Sequence, residues 1–270
     1  MSGSQVAVLG LIAGGTVLLG LPVGRVRSPG ASTARAVLNA VAIGVLLFLL
    51  WDVLAHAWEP VDVSLAAKDL KGGVGYGLVL IGGLAIGLIG LVLFDRWIAG
   101  RGNRDAIGPS TTDSRLRATA SGRLALLIAT GIGLHNFAEG LAIGNSAAGG
   151  ELTLAWVLVI GFATHNATEG FGIVAPMTAD GVRPTWPQLM LLGAIAGGPT
   201  LIGTLVGQGF TSELASVAFL SLAAGSILYV VIELLAVSRR FAHKFHTSWG
   251  LVGGLALGFA TDGILTLAGS

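Results

Sequence analysis

The sequence predicts an all-α membrane protein of eight transmembrane helices with both termini extracytoplasmic, on three observations. Over half of its 270 residues (53%) are hydrophobic and only 11% are charged, where a soluble domain carries about 25% charge. Apolar windows of roughly 20 residues, the length that crosses a bilayer, recur eight times. Lys and Arg gather on alternate connections between those windows, and two of the windows carry polar groups that a bilayer tolerates only for a purpose.

The eight windows fall near 5–24, 35–58, 74–97, 122–147, 153–177, 187–208, 214–237 and 249–268, and together they read as one polytopic membrane domain over 1–270. The first lacks a basic leader and is followed by further spans, so it is expected to be a retained helix. The longest break, 98–121, carries Arg101, Arg104, Asp105, Pro109, Asp113, Arg115 and Arg117 and is expected to be a mobile, solvated loop. Of the 15 Lys and Arg residues, all but Lys68 and Lys71 lie on odd-numbered connections or their flanks. The positive-inside rule puts those connections, including 98–121, in the cytoplasm. An even number of spans then leaves both termini outside, in a multi-pass protein of the cytoplasmic (inner) membrane.

With 43 glycines, close helix–helix approach is expected, and Gly83/Gly87, Gly203/Gly207 and Gly254/Gly258 have the four-residue spacing that permits it. The six tryptophans, Trp51, Trp58, Trp97, Trp156, Trp186 and Trp249, mostly flank span ends and read as interfacial anchors. The absence of cysteine excludes disulfides, thiolate ligands and thiol redox chemistry together. A net charge of +1 gives no nucleic-acid partner. The bilayer and a small cation are the partners the composition implies, and a homodimer is the protein assembly considered.

A hexapeptide pattern occurs twice within the apolar spans: His135-Asn136-Phe137-Ala138-Glu139-Gly140 and His165-Asn166-Ala167-Thr168-Glu169-Gly170. His and Glu at i and i+4 share one helix face, so each copy can offer an imidazole nitrogen and a carboxylate oxygen to one cation. The two spans are antiparallel about a turn at Gly149-Gly150, and His135 and His165 are equally far from it, hence at similar depth. Side chains tilt toward their own helix N-terminus, which brings Glu139 and Glu169 toward the histidines. An N₂O₂ set near the midplane suits Zn²⁺ and also Fe²⁺, Mn²⁺, Co²⁺ or Cd²⁺. It argues against Na⁺ or K⁺, and two carboxylates neutralise a dication. A lone intramembrane His or Asn is commonly an interhelical hydrogen-bond partner; the doubling at matched depth is what favours a metal.

At these residues the chain resembles the ZIP (Zrt/Irt-like) family of divalent-metal transporters, prokaryotic type, over nearly its whole length. The resemblance implies that His135, Glu139, His165 and Glu169 are ligands of the principal transport site, with Asn136 and Asn166 bordering an adjacent second position. The family's motif proline is replaced by Ala138 and Thr168, so a bend there must come from glycine or be absent. The Glu that some bacterial members place before a sixth-span Pro is here Gly198, ahead of Pro199, which leaves the second position without an anion and favours one metal. Glu233 resembles the family's seventh-span acidic residue and would be a release-path ligand; its alternative is a carboxylate reaching the interface or pairing with Arg239 or Arg240. Asp52 and His56, an i, i+4 pair in span two, would complete the main site or line the entrance, or else be interfacial groups without metal. Asp262 is assigned no role, and His243 and His246 read as solvated surface residues.

The function expected is movement of a divalent transition metal, zinc or iron foremost, toward the cytoplasm, with the metal as bound substrate and no catalytic cofactor. The resemblance implies an elevator-like motion of spans four and five with their neighbours. Without a Walker motif, the drive is a gradient or the membrane potential, about 2.3 kcal/mol per charge per 100 mV and felt twice by a dication. Protons compete for the same donors, so low external pH is expected to weaken binding. The alternative is an intramembrane zinc-dependent hydrolase. No His-Glu-x-x-His is present, and the two symmetric motifs do not separate ligands from a catalytic acid, so an enzyme is not expected.

Overall fold

The computed structural model describes residues 3–26, 31–102, 116, 119–148, 152–209, 212–241 and 244–267. Among these there are helices and no strands. In chain order they are α1 (Gly3–Gly15), α2 (Val17–Gly20) continued by a 3-10 segment Leu21–Arg25, α3 (Ala31–Ala66), α4 (Leu70–Gly102), α5 (Ala120–Ala148), α6 (Leu152–Ala179), α7 (Trp186–Gly207), α8 (Glu213–Phe241) and α9 (Lys244–Leu267).

Their ends follow from local chemistry. Thr16 turns its hydroxyl back onto the Ala13 carbonyl (2.7 Å), and Pro22 lies in the tighter turn that follows, so the first apolar run is broken into pieces. Lys68 adopts φ 61° at the α3–α4 turn, where Asp69 accepts from the Gly72 amide (3.1 Å) to start α4. Gly181, at φ 71°, closes α6: its amide bonds Thr178 O and the Val182 amide bonds Met177 O, the pair of bonds that satisfies terminal carbonyls. Thr185 and Gln188 cap α7 reciprocally. Helices α3, α6 and α7 run through Pro60, Pro176 and Pro199 respectively.

Among the described residues, six segments are long and apolar enough to cross a membrane: Gly3–Arg25, Ala36–Ala66, Leu70–Phe94, Ala120–Asn145, Trp186–Gly207 and Glu213–Arg239. The other two long helices are α6, which carries the second hexapeptide, and α9, which holds Lys244, His246 and Asp262. Large apolar side chains cover the outside; α4 alone exposes Leu70, Val74, Leu78, Ile81, Ile86, Ile89 and Leu93. A water-facing surface would not hold such a stripe, whereas lipid is a fitting solvent for it. All six tryptophans are exposed.

The expectation for 98–121 falls largely outside the described residues. The margins of 98–121 are helical: α4 continues to Gly102 and α5 begins at Ala120. Residues 103–115, 117 and 118 lie outside the described residues, but Leu116 is fully buried in the main apolar cluster. Thr119 follows it and caps α5 by accepting from the Gly122 amide (3.0 Å). Leu116 is thus an apolar side chain between two arginines that is held in the core.

The helices pack as two groups. In one, α1, α2, α5, α6 and α7 adhere, most extensively α5 on α7 and α1 on α7. In the other, α4 lies on α8, and α3 on α9 and α8. The glycines singled out by spacing sit at these contacts: a Cβ on Gly203 or Gly207 would strike the α5 backbone, one on Gly87 the α8 backbone, one on Gly254 the α3 backbone, and one on Gly83 or Gly258 the side chains of Ser221 or Phe48.

Candidate functional site

Both hexapeptides lie within unbroken helix, the first on α5 and the second on α6. Without the motif proline, Ala138 and Thr168 keep the backbone donors of these turns in place, so no helix break occurs at the polar residues. The first motif faces inward: His135 (2% exposed), Asn136 (0%) and Glu139 (4%) are buried, as are Asn166 (0%) and Glu169 (1%) of the second. Five polar side chains in the interior of one helix group are costly unless they serve one another or a ligand.

Their contacts converge on Glu139. His135 Nε2 lies 3.0 Å from Glu139 Oε1, one helical turn away. Asn166 Nδ2 donates to Glu139 Oε2 (3.4 Å) from α6, and also to the Ala13 carbonyl of α1 (3.2 Å). One carboxylate therefore ties the two motifs together. Asn136 donates to the Ala196 carbonyl of α7 (3.0 Å), and the amide oxygens of Asn136 and Asn166 are buried without a hydrogen-bond partner. Donation by each amide nitrogen to an acceptor-only carbonyl fixes which end is oxygen. The result is two buried amide oxygens with no hydrogen-bond partner, one of them on the residue that donates to Glu139.

The His135–Glu139 spacing has a chemical reading. Two donors about 2.1 Å from a tetrahedral Zn²⁺ stand about 3.4 Å apart. Nitrogen and oxygen at 3.0 Å can thus admit a cation between them with a shift of a few tenths of an ångström. Close packing holds the scaffold of this group. Gly140 lies against the Thr200 carbonyl of α7, Gly170 against Val17 and Gly20, and Gly197 against Gly14; small residues are what let the backbones of α1, α2, α5, α6 and α7 approach so closely.

The remaining expected residues are placed as follows. The His165 side chain lies outside the described residues, although its backbone is part of α6. Among the described residues no group of three His, Asp or Glu side chains is close enough to hold an ion, so the structure brings together His135, Glu139 and Asn166 of the expected set. Asp52 and His56 pair with each other on α3, His56 Nδ1 lying 3.4 Å from Asp52 Oδ1 and 2.9 Å from its carbonyl, and the His56 side chain is 63% exposed. Glu233 is half-buried on α8, and Asp262 is exposed on α9. His246 meets Phe245 edge-on; His243 lies outside the described residues.

Two polar features escaped sequence reading. Thr200 is fully buried on α7 and its hydroxyl lacks a partner; a Thr after Pro199 gives no signal by itself. Asn39 and Ser238 form a buried hydrogen bond (2.7 Å) between α3 and α8. An Asn amid Val37, Leu38, Ala40 and Val41 was a visible anomaly of the kind the hexapeptides present.

Comparison with known proteins adds an independent line. The family model described as "ZIP Zinc transporter" matches residues 99–262. The protein named "Zinc transporter ZupT" of Shigella flexneri serotype 5b (strain 8401) is 26% identical over 259 residues, covering 94% of each chain. Its namesakes from Shigella dysenteriae serotype 1 (strain Sd197) and Escherichia coli O7:K1 (strain IAI39 / ExPEC) are 26% and 25% identical over the same length.

Proposed function

Because the chain belongs to the ZIP zinc transporter family, we propose that it carries Zn²⁺ or a similar dication into the cytoplasm through the buried group on α5 and α6. It is a membrane transporter of divalent metal rather than an enzyme, and the hydrolase alternative falls away. The observation that carries the site assignment is Glu139, whose two oxygens meet His135 of its own motif and Asn166 of the other. In this reading His135, Glu139, His165 and Glu169 bind the ion, and the amide oxygens of Asn136 and Asn166 border it. Asp52, half-buried on α3, and His56, exposed one turn on, line the approach, and Glu233 takes the ion on its way out.

The same reading makes 1–270 a single polytopic domain of the cytoplasmic membrane with eight crossings: α1 with α2, then α3 to α9 one by one. Both termini lie outside, in keeping with the basic residues on alternate connections. Zinc is favoured by the names of the relatives, and iron has the same donor preferences. A binding site confined to one of the two helix groups suits an elevator motion, in which that group shifts against the other.

Metal flux into proteoliposomes, with a panel of divalent cations, tests this. The Glu139→Ala/Glu169→Ala double variant is expected to insert normally and carry little metal; wild-type flux in that variant would overturn the assignment.

A further inference from the structure

The geometry points to a second cation station, on the α3–α8 wall, built from the amide oxygen of Asn39. It rests on the proposed transport reading and extends the route beyond the buried group. Asn39 and Ser238 are 5% and 4% exposed. The Asn39 amide nitrogen donates to Ser238 Oγ (2.7 Å) and toward the Leu234 carbonyl (3.4 Å). Since the Leu234 carbonyl only accepts, nitrogen must face α8. The oxygen is therefore turned away from α8, buried and without a hydrogen-bond partner. Asparagine needs only its nitrogen to clamp the two helices; the idle oxygen is the part without a structural use.

Its position gives that oxygen a task. Gly172, three residues beyond Glu169 on α6, faces Leu234 of α8 and Ala42 of α3; a Cβ there would lie 3.2 Å from Leu234 Cδ1 and 3.8 Å from Ala42 Cβ. Asn39 is one turn from Ala42 on the same face of α3, and Ser238 one turn from Leu234 on the same face of α8. Gly24, just ahead of α3, packs against Val174 of α6, so α3 starts beside the far end of α6. The order from the buried group outward is thus Glu169, then an apolar collar of Gly172, Ala42 and Leu234, then Asn39 with Ser238. At 1.5 Å per residue the two polar levels are about 9 Å apart along the helices, less than two turns. The basic residues Arg25, Arg239 and Lys244 mark this end as cytoplasmic by the positive-inside rule. A shift of α6 by one to two turns would bring Glu169 level with Asn39. The Asn39 oxygen would then replace one water or ligand on a Zn²⁺-type ion as it leaves the carboxylate, with the neutral amide binding weakly enough to release it.

Zn²⁺ flux into proteoliposomes, together with Zn²⁺ binding by the purified full chain in detergent, tests the assignment. Asn39→Leu keeps the bulk and removes the oxygen: maximal flux should fall about tenfold or more, with Zn²⁺ affinity at the buried group unchanged within about twofold. Asn39→Asp keeps an oxygen and should recover flux relative to Asn39→Leu. Ser238→Ala removes the clamp's acceptor, leaves the Asn39 oxygen in place, and should keep most of the flux. Wild-type flux in Asn39→Leu would overturn the station, and so would equal losses in Asn39→Leu and Ser238→Ala, which would make the pair a helix clamp only. If Asn39→Leu does not insert, Asn39→Ala serves with the same outcomes. Glu139→Ala/Glu169→Ala run alongside separates the two ideas: an inactive double variant with an active Asn39→Leu refutes the station alone, whereas an active double variant refutes the transport site itself.

Discussion

The two helix groups differ in what they carry and agree in how they are locked. The α1–α2–α5–α6–α7 group holds every buried residue of both hexapeptides, whereas the α3–α4–α8–α9 group turns Ala42, Val230 and Leu234 toward it. Within each group, glycines rest on neighbouring backbone: Gly14 on Gly197 and Gly20 on Gly170 in the first, Gly44 on Gly254 and Gly87 on Gly225 in the second. Between the groups the glycines meet mainly side chains: Gly131 faces Val230 and Leu91, and Gly172 faces Leu234 and Ala42. Backbone-on-backbone contact has one register, because nothing in it can rotate away. Side chains have rotamers and can re-seat after a displacement. The difference teaches where the proposed elevator motion would have to occur: at the seam between the groups rather than within either one.

The largest effect expected from this contrast is at Gly197. Gly197→Leu would drive a branched side chain into the Gly14 backbone, and neither helix can yield without disturbing Thr200 and the Ala196 carbonyl that accepts from Asn136. Overpacking costs about 1–3 kcal/mol where side chains can adjust and more where they cannot, so this variant should lose its folded, monodisperse form in size-exclusion chromatography. A smaller and different effect is expected at the seam. Gly172→Val needs only the flexible end of Leu234 to move, so thermal stability should stay within about 1 kcal/mol of wild type while flux slows several-fold. Similar melting shifts at Gly197 and Gly172 would dissolve the distinction between rigid group and sliding seam.

Much of this contrast was legible in the sequence. The helical class followed from eight apolar windows, and the three glycine pairs chosen by spacing all occupy close helix contacts. The buried group was legible because a bilayer tolerates a doubled pattern of ionisable groups only where the groups serve a ligand or a pathway. What spacing could not give was the partner of each donor. Side-chain tilt sends Glu139 toward histidine, which it meets, but the cross-link to α6 runs through Asn166. An amide has two ends, and which end meets the carboxylate depends on a third helix: α1 supplies the Ala13 carbonyl that fixes it. The burial of Leu116 was hidden for a similar reason. Leu116 stands between Arg115 and Arg117 in a run of charged and small polar residues, and only the assembled core reveals that it is buried. The Asn39–Ser238 pair joins residues 199 apart in sequence, a distance at which no local pattern operates.

The smallest expected effect belongs to the residue next to the most sensitive one. Gly198 follows Gly197 on α7, yet a Cβ at 198 would meet no atom within 4 Å. A helix advances about 100° per residue, so adjacent positions face different surroundings, and only the first of these two faces Gly14. Glycine in a helix interior is worse than alanine by about 0.5–1 kcal/mol, and no steric gain offsets that here. Gly198→Ala should therefore be neutral to slightly stabilising in thermal unfolding, with unchanged flux. Gly198→Glu should fold as well, and it places an anion ahead of Pro199 where a Cβ meets no neighbour within 4 Å. In the proposed reading, isothermal titration with Zn²⁺ should then register one more equivalent than it does for the parent. Destabilisation of Gly198→Ala as deep as that of Gly197→Leu would mean that the whole α7 surface is packed on backbone, and that the first helix group has no spare face on which a second ion could be held.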